Sequence, residues 1–185
     1  MSGIIGKSPD MKSGVLGKFP TGQVVQCLSK HHGGTLESTT LASSDSFTKF
    51  TDLEISITPA RGSKVMVFCQ VNVSGSNYND PSPVLALFRD TTKIGSGDTA
   101  SARIRASVGT TIFSGGYNGA IVTNVSWNYL DDPVADGSTA FVYKIGLGIR
   151  GTGAGTAYIN RSPSDGDSTE NQRDASNITV MEVAT

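Results

Sequence analysis

The sequence predicts an all-β chain: a single β-sandwich or jelly-roll-like domain behind an extended, glycine-rich N-terminal arm. Three observations carry this. Apolar residues recur at every second position in run after run, as they do where neighbouring side chains point to opposite faces of a sheet. Clusters of Gly, Pro, Asp and Ser punctuate the runs. No window sustains a helical period. The 185 residues fit one domain plus an appendage.

The arm is residues 1–21, and it holds an eleven-residue repeat. Ser2-Gly3-Ile4-Ile5-Gly6-Lys7-Ser8-Pro9 is echoed by Ser13-Gly14-Val15-Leu16-Gly17-Lys18-Phe19-Pro20. Glycine and proline at this density oppose a helix. Lys7, Lys12 and Lys18 against Asp10 leave the segment at +2, within a chain whose formal charge is −1. The segment reads as a weakly basic strap with two apolar anchors.

Residues 22–185 form the sandwich. Leu53, Ile55 and Ile57 alternate with polar neighbours until Pro59. Val65, Val67, Cys69, Val71 and Val73 make one face of a long strand, with Met66 and Phe68 opposite. Val84 to Phe88 is apolar on both faces. Ile121, Val125, Trp127 and Tyr129 share one face of the next strand, its aromatics being either core or subunit contact. Phe141, Tyr143, Ile145, Leu147 and Ile149 share a face of another, Ala157-Tyr158-Ile159 is shorter, and Ile178 to Val183 closes the chain. Eight to ten strands are expected.

Composition narrows function by exclusion. Affinity for nucleic acid comes mainly from neutralised phosphates, so a chain at −1 is not expected to bind it. No apolar run approaches a membrane span or the core of a secretion signal. Cys27 and Cys69 are the only cysteines, and both read as buried thiols from a reducing compartment.

Motifs that could carry chemistry fail on their surroundings. Gly146-Leu147-Gly148-Ile149-Arg150-Gly151 spells a dinucleotide fingerprint, but no helix follows to hold a pyrophosphate. Gly6-Lys7-Ser8 lacks the upstream glycine of a P-loop. Asp165 to Glu170 lacks the sixth-position glycine of a calcium loop. His31 and His32, the only histidines, find no zinc partners nearby beyond Cys27. No catalytic, cofactor or metal residue is assigned, and no enzyme activity is expected. Two loops remain as receptor-facing or simply exposed surface: 109–120, whose Phe113 and Tyr117 either face a partner or anchor the loop, and 162–175 with Asp165 and Asp167.

Residues 13–26, Phe88-Arg89-Asp90, Tyr158 to Ser162 and Ala175 to Val183 resemble, in style, short virion proteins of tailed phages of aquatic bacteria. The resemblance implies a trimeric β-sandwich or jelly-roll protein on the virion surface, made in the host cytoplasm, with no cofactor and no membrane partner. It implies either a capsid decoration (cement) protein or a tail-fibre protein that recognises a host glycan. In the first case Ile4, Ile5, Lys7, Val15, Leu16, Lys18 and Phe19 are the expected docking residues toward a major capsid protein or another virion protein.

Overall fold

A computed structural model describes residues 20–41, 46–75, 82–110, 121–150, 155–169 and 171–185, with backbone alone over 38–41. The arm up to Phe19, with the seven docking residues expected there, lies outside them, as do Phe113 and Tyr117.

The described residues form eleven strands: β1 (Val24–His32), β2 (Leu36–Leu41), β3 (Thr48–Ile57), β4 (Lys64–Gly75), β5 (Ser82–Arg89), β6 (Thr92–Ile94), β7 (Val108–Gly109), β8 (Thr123–Asp131), β9 (Phe141–Arg150), β10 (Gly155–Ile159) and β11 (Ser176–Val183). They form two sheets, antiparallel throughout. In the first, β4 pairs with β8 along one edge and with β11 and then β10 along the other. β1 pairs with β11, and β2 with β10. Thus β1 and β2 are one ribbon broken at residues 33–35, and β10 and β11 are another, broken at 160–175. In the second sheet the order is β3-β9-β5, with β6 and β7 both on the far edge of β5.

Counting each broken ribbon once, and β6 with β7 as one edge, the sheets run 6-3-8-1 and 2-7-4-5, the two-Greek-key order of an eight-stranded jelly roll. The expected fold class holds.

The core lies between the sheets. Val65, Val67, Cys69, Val71 and Val73 of β4 face Tyr143, Ile145, Leu147 and Ile149 of β9, and all are nearly inaccessible to water. Each large aliphatic side chain so placed contributes about 1.5–3 kcal/mol relative to exposure. Trp127 and Tyr129 belong to this inner row of β8, so their packing is with the core. β5 is buried on both faces because Phe47 and Phe88 cover the outside of the second sheet, edge-to-face at 6.0 Å.

Two polar ties join the layers. Tyr143 of β9 donates its hydroxyl to Asp131 of β8 at 2.7 Å, and Arg89 of β5 clasps the same carboxylate with 2.8 and 2.9 Å bonds. Glu182 of β11 accepts from Gln26 at 2.7 Å and from the Ala60 amide at 2.9 Å, closing the other corner.

Cys27 departs from expectation. It stands on the outward side of β1, opposite Met181, and is exposed, whereas Cys69 is buried as expected. Cys27 is exposed because it points outward from β1, away from the core between the sheets. Burial pushes the Cys69 thiol far up, keeping it protonated.

Candidate functional site

The break at 160–175 is built around Asn160. This residue is fully buried and left-handed (φ 62°), a conformation asparagine tolerates better than most residues. Its amide nitrogen donates to the carbonyls of His32 and Gly34 at 2.8 and 2.9 Å, while Ser176 donates to its side-chain oxygen. One side chain therefore joins the interruptions of both broken ribbons.

The next residue latches the loop. The Arg161 guanidinium lies 3.9 Å from the Tyr158 ring centroid and pairs with Glu37 at 2.8 Å and Asp165 at 3.9 Å. Arg173 reaches the other side of Asp165 at 2.6 Å. Asn171 donates to the Gly166 carbonyl, and the Ser162 hydroxyl to that of Ser164. These bonds shape a small polar hollow lined by Asp165, Gly166, Asp167, Ser168, Asn171, Gln172 and Arg173.

Of the two carboxylates expected to face a receptor, Asp165 is engaged by both arginines, and Asp167 is exposed. No group of His, Cys, Asp or Glu able to hold a metal ion occurs among the described residues. Tyr158 is covered by Arg161.

Nor do the sulfur and imidazole groups converge. Cys27 and His31 share the outward side of β1, but four residues of strand separate them by about 13 Å. His32 points inward. The glycines of the dinucleotide-like motif have another cause: a Cβ on Gly146 would come within 2.6 Å of the Phe88 ring, and one on Gly148 within 2.9 Å of Phe47. They make room for aromatic rings.

The register brings together a surface that no local motif announced. Across the outside of the first sheet, Leu130, Met66, Met181 and Cys27 stand side by side on β8, β4, β11 and β1. The next row is Asn128, Phe68, Thr179 and Ser29, then Ser126, Gln70, Asn177 and His31, then Asn124 and Asn72. Formal charge enters this face only at a corner, where Lys64 pairs with Asp132 at 3.3 Å. The polar groups bond sideways to one another: Asn124 to Asn72 at 2.8 Å, Asn177 to Gln70 at 2.9 Å, Ser29 with Thr179 at 2.8 Å. At the apolar end Phe68, on the central strand β4, is 39% exposed, and Leu130, on the edge strand β8, is 45% exposed. The one sequence signal was Met66 and Phe68 in the outward phase of β4.

The fold and its described side chains define a jelly-roll sandwich whose distinctive features are surfaces and latches. No known protein family matches the chain, and neither does any curated protein sequence. Among solved structures it is similar to viral particles. The infectious bursal disease virus Gx strain aligns over 100% of this chain and 42% of its own at 10% identity, TM-score 0.43. T=1 particles derived from that virus align over 100% and 41% at 12% identity, TM-score 0.41. A VP2 subviral particle of the same virus aligns over 100% and 43% at 13% identity, TM-score 0.39. The chain spans less than half the length of each of these proteins.

Proposed function

We propose that this chain is a virion structural protein, a capsid decoration subunit of the tailed-phage type that holds to a shell made by another protein. The observation that carries the reading is the outer face of the first sheet, free of charge over most of its area and apolar at one end. Monomeric proteins seldom leave such a patch in water, and it serves association. The resemblance in residues 13–26, 88–90, 158–162 and 175–183 supports the same role and suggests a trimer.

In this reading attachment falls to the arm. Ile4, Ile5, Val15, Leu16 and Phe19 supply apolar anchors, and Lys7 and Lys18 face an acidic shell surface. Several arms on one oligomer add their contacts through effective concentration, so each can be weak.

The test is gold-labelled antibody imaging of particles from the source, followed by binding of full-length chain to stripped particles. Label spread over the head, with binding lost on Leu16→Asp plus Ile5→Asp, is the expected result. Label confined to the tail would replace decoration by receptor recognition, and label on no particle would overturn the virion reading.

A further inference from the structure

We infer that the outer face of the first sheet is where copies of this chain meet: a second copy covers the row Leu130–Met66–Met181–Cys27 and the Phe68 ring beside it. This deepens the assembly reading above by naming the occupant, and it is testable without any particle.

Three observations select a second copy. The first is charge. A surface repeated on every copy meets its neighbours without repulsion only if like charges are kept off it. The outward positions of β8, β4 and β11 between Asn124 and Met181 carry no ionisable group, and β1 adds Cys27 and His31 but no Asp, Glu, Lys or Arg. The second is area. Four strands about 4.8 Å apart and some eight residues deep present about 500 Å² per copy. Two such faces bury about 1,000 Å² together, the lower bound for a specific protein contact.

The third is chemistry. The exposed groups at the apolar end are aliphatic and thioether side chains around a single phenyl ring, suited to packing against their like. A neutral glycan would want aromatic planes and polar groups aimed outward. Among the described residues Phe68 is the only phenyl or phenol ring on this face, and the face's amides are turned sideways to one another. Unlike an exposed ion pair, this contact gains nothing from low salt.

Cys27 supplies a native probe, because it lies in the contact row and the other thiol, Cys69, is buried. The experiment measures solution mass by light scattering together with the rate of Cys27 reaction with a maleimide. The wild-type chain is compared with Leu130→Lys and with Asn128→Lys, which places a charge on the exposed edge strand without touching the core. The melting curve of each variant checks that it folds. The expected result is a wild-type mass that is a multiple of 19.3 kDa, unchanged by salt, with Cys27 protected. Both variants then fall to 19.3 kDa, and Cys27 becomes reactive.

Four results would overturn the inference. They are a monomeric wild type with reactive Cys27, a multiple mass that survives both folded variants, and a multiple mass that dissociates as salt is raised. A monomer with protected Cys27 is the fourth, since it would place the chain's own first nineteen residues on the face.

Discussion

Tyr143 and Asp131 come from opposite sheets and meet at 2.7 Å inside the sandwich, hydroxyl to carboxylate. Desolvation at this fully buried site, and then the neighbouring carboxylate, push the Tyr143 hydroxyl far above its ordinary range. Asp131 is 4% exposed and depends on Tyr143 and Arg89 for its three bonds. Tyr143→Phe removes one donor and is expected to cost about 1.5–3 kcal/mol. Asp131→Ala strands the guanidinium and the hydroxyl together and is expected to cost about 3–5 kcal/mol. Urea unfolding of both variants measures this. Equal losses would contradict a shared carboxylate.

Glu182 makes acid stability a local question. Burial works to raise its pKa, but bonds from Gln26, the Ser63 side chain and the Ala60 amide overcome this and hold it below the ordinary 4.5. A carboxyl depressed in the folded state stabilises the fold fully above its unfolded pKa. That contribution is lost as pH falls from about 4.5 through the folded value. Denaturant midpoints between pH 3 and pH 7 should therefore drop on the acid side. Glu182→Gln should flatten that drop while lowering stability at pH 7 by about 1–3 kcal/mol, because an amide turns a donor toward other donors. An unchanged acid limb in the variant would rule Glu182 out as its source.

Asn160 predicts a cooperative failure from a single atom. Asn160→Asp keeps size and backbone preference but replaces the amide nitrogen that serves His32 and Gly34 with an acceptor facing two carbonyls. The loss is expected to reach about 3 kcal/mol or more, since a charge is buried without a partner. Hydrogen exchange should show protection falling together at residues 32–36 and 158–162, the two ends that Asn160 joins. Loss confined to one of them would mean that the ribbons hold independently.

Much of this fold was legible before any coordinate, and the pattern of misses is physical. β4 and β11 bury one side and leave the other open, so their sequences alternate, and the inner rows of β4 and β9 were named residue by residue. β1 hides because its inward positions include Gln26 and Lys30, which bond to the Thr58 and Thr51 carbonyls at the sandwich edge. A strand that faces another edge has no apolar period to read. The outward phase of β1 exposes Cys27, which the sequence led us to bury. β6 and β7 are three and two residues long, too short to alternate. Of the outer face only Met66 and Phe68 on β4 could be read, because Leu130, Met66, Met181 and Cys27 come from four separated strands and become neighbours only through register. The latch on Arg161 shares that origin, with Glu37 contributed from β2.

The loop latch predicts a local effect. Arg161→Lys keeps a positive charge but loses the planar stack on Tyr158 and the reach to Ser162 and Pro163 carbonyls. Exchange protection and protease resistance should fall within 160–175, while the melting temperature shifts by only a few degrees, in keeping with a loss of about 1 kcal/mol. Global destabilisation equal to that of Asn160→Asp would show that Arg161 supports the ribbon and not the loop alone.

Gly146 and Phe88 give the sharpest test of the rejected nucleotide motif, because its two explanations differ in sign. If the glycine exists to admit a phosphate, Gly146→Ala disturbs a ligand and leaves the empty fold intact. With the Phe88 ring 2.6 Å from the new Cβ, the substitution instead overpacks the outside of β9. It is expected to cost about 1–3 kcal/mol with no ligand present. Phe88 packs edge-to-face against Phe47 and has the Lys49 ammonium 4.7 Å from its ring centroid, so it cannot swing away freely. Shortening the ring should then relieve the clash. Gly146→Ala in a Phe88→Leu background should cost less than it does alone, a coupling of at least about 0.5 kcal/mol in a double-mutant cycle read by urea unfolding. Additive losses would mean that the two residues do not share the space and that the glycine has some other cause.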